Sequence, residues 1–264
     1  MFNPNELVLE KIRSVEEYDS ATGELIGIYT QIESPSLKTA AEGTPVTDAM
    51  GSEITTFYKA QTGTFEFSNS LFSLDLAASQ FGTTKEIASS ENKIIRPVSE
   101  TIAVGADHTA VLKYVPVGTS GAEIKYVKVI NENNEFGATY EVSATAGEGK
   151  FTLDAAAKTI TLPDNVTGKV FVRYDTESTN AVKISKTTDS VPKVRSLLIH
   201  VIFHSVCETD TVYAGTISIP RAQIDPSSVE LNFTSDGKHG ASYKLQKPYC
   251  RDDAKLFDII VSED

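Results

Sequence analysis

The sequence predicts a mainly β fold: a β-sandwich or barrel flanked by one α-helix, with a small second β-sandwich inserted in it. Three observations carry this. Thr, Val, Ile, Tyr and Phe recur in short alternating runs broken by Gly, Asn, Asp and Pro, the pattern of strands joined by turns. A single stretch has apolar residues at helical spacing. Between residues 96 and 190 the runs shorten and charge nearly balances, with 10 basic and 12 acidic residues, whereas residues 1–95 hold 6 and 14. A length of 264 residues suits one large domain, or one interrupted by a second.

In chain order, Leu7 to Arg13 reads as a strand, Asp19-Ser20-Ala21-Thr22-Gly23 as a turn, and Glu24 to Ile32 as the returning strand. Alternation puts Ile26, Ile28 and Ile32 on one face of that strand and Tyr29 and Gln31 on the other. Residues 33–53 read as a long loop: Ser34-Pro35-Ser36 and Glu42-Gly43-Thr44-Pro45 break regular structure, and Asp48 to Ser52 is a second turn. Loops of that length are uncommon in compact domains unless they act, and an arm ordered against a neighbouring subunit is one such action; a mobile surface loop is the plainer one. Ile54 to Phe67 reads as a long strand. A helix follows over about 68–81: Ser68 or Asn69 caps it, Leu71, Phe72, Leu74, Ala77, Ala78 and Phe81 form its apolar face, and Gly82 ends it.

Five strand-like runs follow, Val111–Val115, Ile124–Ile130, Phe151–Leu153, Thr159–Leu162 and Lys169–Tyr174, spaced as in a small β-sandwich. Val194–Val206, Thr211–Pro220, Val229–Thr234 and Leu256–Val261 read as further strands, with a tight turn at Asp236-Gly237. The expected organisation is a discontinuous β domain of residues 1–95 and 191–264, interrupted by residues 96–190.

Several functions are disfavoured. A net charge of −12 argues against a non-specific nucleic-acid binder and a basic membrane-surface helix. The apolar run Leu197–Phe203 is too short to cross a bilayer, and Met1 to Glu6 has no signal-peptide character, so no membrane anchor is expected. The phosphate-binding loop, the Gly-x-Ser-x-Gly elbow and His-Glu-x-x-His do not occur, so no enzyme, cofactor or metal is expected. His200 and His204 share a strand face but stand about 13 Å apart, too far to hold one zinc ion, and Cys207 has the wrong parity. Cys207 and Cys250 are no disulfide framework and read as free thiols. The pairs Glu16-Glu17, Glu208 with Asp210, and Asp252-Asp253 suit a solvated acidic face. With no Trp, a carbohydrate platform loses its usual aromatic, though 10 Tyr residues remain.

The segment from Ser34 to Gly82 has a recognisable pattern: the turn Val46-Thr47-Asp48-Ala49-Met50-Gly51, the strand Thr55 to Phe67, then Ser68-Asn69-Ser70-Leu71-Phe72 opening a helix that ends at Gln80-Phe81-Gly82. With Ile217 to Asp225 and Thr234-Ser235-Asp236-Gly237, it resembles the tail tube (major tail) proteins of tailed bacteriophages, over residues 1–95 and 191–264. Residues 97–187 resemble the immunoglobulin-like domain that many such proteins carry, although here it sits inside the chain instead of at its C-terminus. The resemblance implies a structural virion protein, assembled in the host bacterial cytoplasm into hexameric rings stacked into the tail tube with other tail proteins. Viral DNA would pass through its channel during ejection. It implies a ring-stacking loop containing Pro35, Glu42, Pro45, Asp48 and Gly51, and lumen positions at Glu10, Thr62, Thr64 and Glu66. Lys59 and Gln61 have the opposite parity to Glu66, and the Glu66 set is expected inward because Phe65 and Phe67 suit a core. An acidic lumen would hold phosphates off its wall. Other readings are a capsid decoration or baseplate protein, and a cell-surface or sugar-binding β adhesin.

Overall fold

A computed structural model of the chain describes residues 6–206, 211–234, 237–249 and 254–262. Cys207, Glu208, Asp210, Asp236, Cys250, Asp252 and Asp253 lie outside them, so the expectations for those residues do too. In order the elements are β1 (Leu7–Asp19), β2 (Leu25–Tyr29), β3 (Ile32–Ala40), β4 (Gly43–Thr47), β5 (Glu53–Tyr58), β6 (Thr62–Asn69), α1 (Leu74–Phe81), β7 (Glu86–Ile87), β8 (Ile94–Ala103), β9 (Thr109–Val111), β10 (Tyr126–Ile130), β11 (Phe136–Val142), β12 (Lys150–Asp154), β13 (Thr159–Thr161), β14 (Lys169–Ser178), β15 (Val182–Lys183), β16 (Val194–Ser205), β17 (Val212–Ile224), β18 (His239–Leu245) and β19 (Asp258–Ser262). The chain is mainly β, and it divides into one unit of residues 1–85 and 184–264 and another of residues 86–183.

The first unit is an antiparallel sheet in the order β2-β1-β16-β17-β18-β6-β3, with β19 added to β17. It curls until β3 approaches β1, so the sheet is nearly a closed barrel. Alternation supplies the inner face: Arg195, Leu197, Ile199 and Val201 of β16 are buried, and so are Gly63, Phe65, Phe67 and Asn69 of β6. Two bulges in β1, at Leu9/Lys11 and Ile12/Ser14, bend that strand. The long strand β17 changes partner along its length, pairing β19 over 214–218 and β18 over 222–224. Phe65, Phe67, Tyr243, Leu197, Ile199 and Ile219 form the core, joined by Leu76 from α1.

The helix is shorter than its pattern. It starts at Leu74, with Ser73 as its cap accepting from the Leu76 amide at 3.3 Å, and not at Ser68 or Asn69. Residues 68 and 69 are claimed by ladder pairs, Ser68 with Gly240 and Asn69 with His239, which leaves Leu71 and Phe72 exposed ahead of the helix. Gly82 does end it, at φ 69°, and a Cβ there would stand 1.9 Å from the Val191 carbonyl oxygen.

On β2 the alternation of faces holds, and the buried side is that of Gly27 and Tyr29, while Ile28 is exposed, because the Tyr29 hydroxyl is drawn to a buried carboxylate. Other expectations are corrected. The supposed loop 33–53 is mostly strand. Ser34 (φ 48°) and Pro35 are absorbed as a bulge of β3, and Pro45 sits in a two-stranded hairpin. The supposed strand Ile54–Phe67 is two strands, parted at residues 59–61. Val229–Thr234 is not a strand, whereas β18, which carries no long apolar run, is.

The second unit has the strand order β8-β14-β10-β11-β12-β13-β9 and its own core of Leu112, Ile124, Val127, Phe151, Ile160, Val170 and Val172. β11 and β12 pair in parallel; its other strand pairs are antiparallel. Its entry and exit strands, β7 and β15, pair with each other, and Lys183 and Glu86 form a 3.2 Å ion pair.

Candidate assembly surfaces

The first candidate surface is an arm. β3 and β6 pair inside the main sheet, then continue outward as the separate hairpin β4–β5. Glu42 and Lys59 join the two halves: the Lys59 amide donates to the Glu42 carbonyl at 2.8 Å and the side chains form a 2.6 Å ion pair. At the tip, the Asp48 carboxylate accepts from the Met50 and Ser52 amides at 2.9 Å each, and Gly51 takes the left-handed conformation at φ 83°. So the five expected loop residues take three places. Pro35 is at the base, Glu42 and Pro45 are at the joint and on the hairpin, and Asp48 and Gly51 build the tip.

The arm's chemistry is apolar. Ile54 and Phe57 are each 67% exposed, Tyr58 72% and Met50 92%, with Val46 beside them. Sequence reasoning missed them by running Ile54, Phe57 and Tyr58 into one long strand that continues to Phe67. The signal was there: this apolar run lies between two breaker clusters, where no partner strand is available to bury it.

The second surface is the outer face of the main sheet. Thr62, Thr64 and Glu66 lie on it, opposite the buried Phe65 and Phe67. The break at residues 59–61 means that no parity runs from Glu66 back to Lys59, which serves the joint instead. Glu66 forms a 3.1 Å ion pair with Lys38 of β3. Glu10, at the bulge of β1, pairs with Lys11 at 3.0 Å and His204 at 2.6 Å; the His204 contact chiefly holds its carboxyl below the usual range. His200 meets Glu16 at 3.3 Å on the same face, so each histidine takes its own carboxylate. Among the described residues, no group of three or more His, Cys, Asp or Glu side chains could hold a metal ion. Glu10 and Glu66 stand on different strands, β1 and β6, and each is paired with its own cation.

Behind this face lies a buried polar cluster. Glu17 is fully buried and accepts a 2.5 Å hydrogen bond from Tyr29, with Arg195 Nε 3.2 Å away. Arg195 also reaches Asp19 at 2.8 Å. Burial raises the Glu17 carboxyl above its usual value, against the pull of Tyr29 and Arg195. The cluster pins β1, β2 and β16 to one another.

Among the described residues, no helix is long and apolar enough to cross a membrane. No curated protein matches the sequence. A family model described as the YomU/Tube protein family matches residues 7–253, which spans both units and nearly the whole chain. The chain therefore belongs to the YomU/Tube protein family, a family of phage-associated tube proteins.

Proposed function

We propose that the chain is the subunit of a phage tail tube, a structural and non-enzymatic virion protein that assembles in the bacterial cytoplasm into hexameric rings stacked around a DNA channel. The observation that carries this is the arm: an ordered hairpin, stapled at its joint, that leaves Met50, Ile54, Phe57 and Tyr58 to solvent. Apolar surface of that kind is stabilised when a second molecule covers it. Edge strands β2 and β3 add unpaired backbone groups that ring closure would satisfy. On this reading β4–β5 is the ring-stacking arm. The outer face carrying Glu10, Thr62, Thr64 and Glu66 lines the channel, and the second unit is an immunoglobulin-like domain displayed by the tube.

Electron microscopy of the purified chain tests it. Tubes or six-fold rings are expected from the intact chain. A variant with residues 43–58 replaced by an Asn-Gly turn is expected to fold but remain unassembled. Monomers from the intact chain at high concentration, or normal tubes from the armless variant, would reject the assignment.

A further inference from the structure

The first unit carries a pocket of about 410 Å3 at the end of the β3–β6 ladder where Ile32 pairs with Asn69. Ser70, whose amide donates to the Gln31 carbonyl at 3.0 Å just past that pair, lines it. One wall is fixed by hydrogen bonds. His239 is buried, and its Nε2–H donates to Gln80 Oε1 at 2.7 Å, while the Gln80 amide donates to the Gly240 carbonyl at 2.7 Å. His239 Nδ1 then accepts from the Ser73 amide at 3.3 Å, so both nitrogens of the neutral ring are used, and burial keeps it neutral. Phe72 stacks on this imidazole, with 5.0 Å between ring centroids and 13° between planes. Phe72 is nevertheless 54% exposed. Phe233 is 84% exposed, Leu231 lines the pocket with it, and Leu71 is exposed beside Phe72.

Water pairs a polar side chain left on a turn, but it offers phenyl rings nothing, and their favourable cover is another apolar surface. The arm presents one, in Met50, Ile54, Phe57 and Tyr58. It leaves from the other end of the same ladder. The pairs run from Ile32–Asn69 to Ala40–Thr62, and the Glu42–Lys59 joint then leads into β4–β5. About 23 Å of β6 lies between the two surfaces, and in the single chain both stand open. Placed at opposite ends of one ladder, they are set to meet between copies and not within one. Each such contact joins unlike surfaces and leaves an arm free at one end and a pocket free at the other, the heterologous arrangement that adds copy after copy. We propose that the pocket of Phe72, Leu231 and Phe233 receives the apolar arm of a second copy of this chain. This rests on the reading of β4–β5 as the stacking arm and adds the surface on which it docks.

The test is the double variant Leu71→Asp/Phe233→Asp, which changes exposed side chains and should keep the urea midpoint of the intact chain. It should stop at the same particle as the armless variant. Its critical concentration for tubes should rise about a hundredfold or more, the loss expected when two large apolar side chains are no longer covered. Mixed with the armless variant, it still has an arm to give and the armless chain a pocket to receive it. Sedimentation velocity should show a complex that neither forms alone, and the complex should vanish when the armless chain also carries the two pocket changes. Tubes from the pocket variant at the concentration that suffices for the intact chain, with the armless variant still unassembled, would overturn the pocket as receiver and leave the arm's role standing. A mixture that sediments as its separate components, or a complex that survives the pocket changes, would overturn it too. Tubes from the armless variant itself would sink the stacking-arm reading and this inference with it.

Discussion

The Tyr29 hydroxyl donates a 2.5 Å hydrogen bond to Glu17 inside the curled sheet of the first unit, and both residues are almost wholly shielded from water. Glu17 thus has a neutral donor on one oxygen and the Arg195 guanidinium near the other. We predict that Tyr29→Phe lowers stability by about 1.5–3 kcal/mol, the usual range for a hydrogen bond to a charged group. Arg195→Met should cost more, about 3–5 kcal/mol, because it leaves Glu17 and Asp19 without their shared cation. Urea unfolding of the three proteins gives the ranking; equal stabilities would show that the cluster is not held as described.

The same carboxyl gives a pH dependence of defined sign. Burial raises Glu17 above the usual carboxyl value of about 4.5 in the folded chain, so between that value and the higher folded one the native state holds the extra proton. Stability from this group is then full below about pH 4.5 and falls as pH rises through the folded value. Glu17→Gln should flatten the stability profile over that window. Asp19, lowered chiefly by the Ala21 and Thr22 amides, acts oppositely: its contribution is present above the usual aspartate value of about 3.8 and is lost as pH falls through the folded value. A Glu17→Gln profile parallel to that of the intact chain between pH 4.5 and 8 would contradict the raised carboxyl.

The paired junction strands β7 and β15 lead to a deletion experiment. Because Ile87 faces Val182 and Glu86 faces Lys183, the chain leaves and re-enters the first unit at neighbouring points. Replacing residues 86–183 by a short Gly/Ser bridge should leave the first unit folded. Circular dichroism and urea unfolding with an undiminished cooperative transition are expected; a chain without one would mean that the first unit needs the second.

How much of this could be read from the sequence depends on which interactions decided each element. β6, β14 and β16 were legible because burial alternates along them and no other force competes. The start of α1 was not, because pairing of Ser68 and Asn69 with β18 outweighs their capping tendency, and the partner strand lies some 170 residues away along the chain. The two faces of β2 could be separated by alternation, but which of them is buried could not: side-chain hydropathy favours Ile28, whereas the cluster around Glu17 takes Tyr29. The segment 33–53 was misread as irregular: its first part is β3 of the main sheet, and the hairpin runs on to Tyr58. Proline in a bulge or an isolated hairpin does not break pairing as it does in a central strand. Of the outer-face residues, Glu66 could be set opposite Phe65 and Phe67 by parity, but its partner Lys38 lay in the segment read as a loop.

The channel assignment yields a prediction in which the ion pairs matter. Glu10 and Glu66 each neutralise a neighbouring cation, so their removal changes more than their own charge. Glu66→Lys would place a second cation beside Lys38 and endanger folding; Glu66→Gln with Glu10→Gln removes two negative charges while keeping size and polarity. If the outer face lines the channel, the double variant should assemble normally yet release DNA more slowly, because Lys11 and Lys38 would then meet phosphate without their carboxylate partners. The delay should shrink as salt rises, since the screening length falls from about 30 Å at 0.01 M to about 8 Å at 0.15 M. Release at the normal rate at low salt would place this face elsewhere than the channel.

The arm permits the sharpest separation of assembly from folding. Ile54 and Phe57 are each 67% exposed and contribute little to the core, so Ile54→Asp with Phe57→Asp should alter the stability of the free subunit by no more than about 1 kcal/mol, the sum of two ordinary surface changes. On an interface the same changes bury charge against apolar surface and should abolish stacking. The expected result is an unassembled subunit with a nearly unchanged urea midpoint. Tubes of normal length from the double variant would mean that the exposed apolar residues of the hairpin are not what neighbouring rings cover, and the search for that surface would move to the edges β2 and β3.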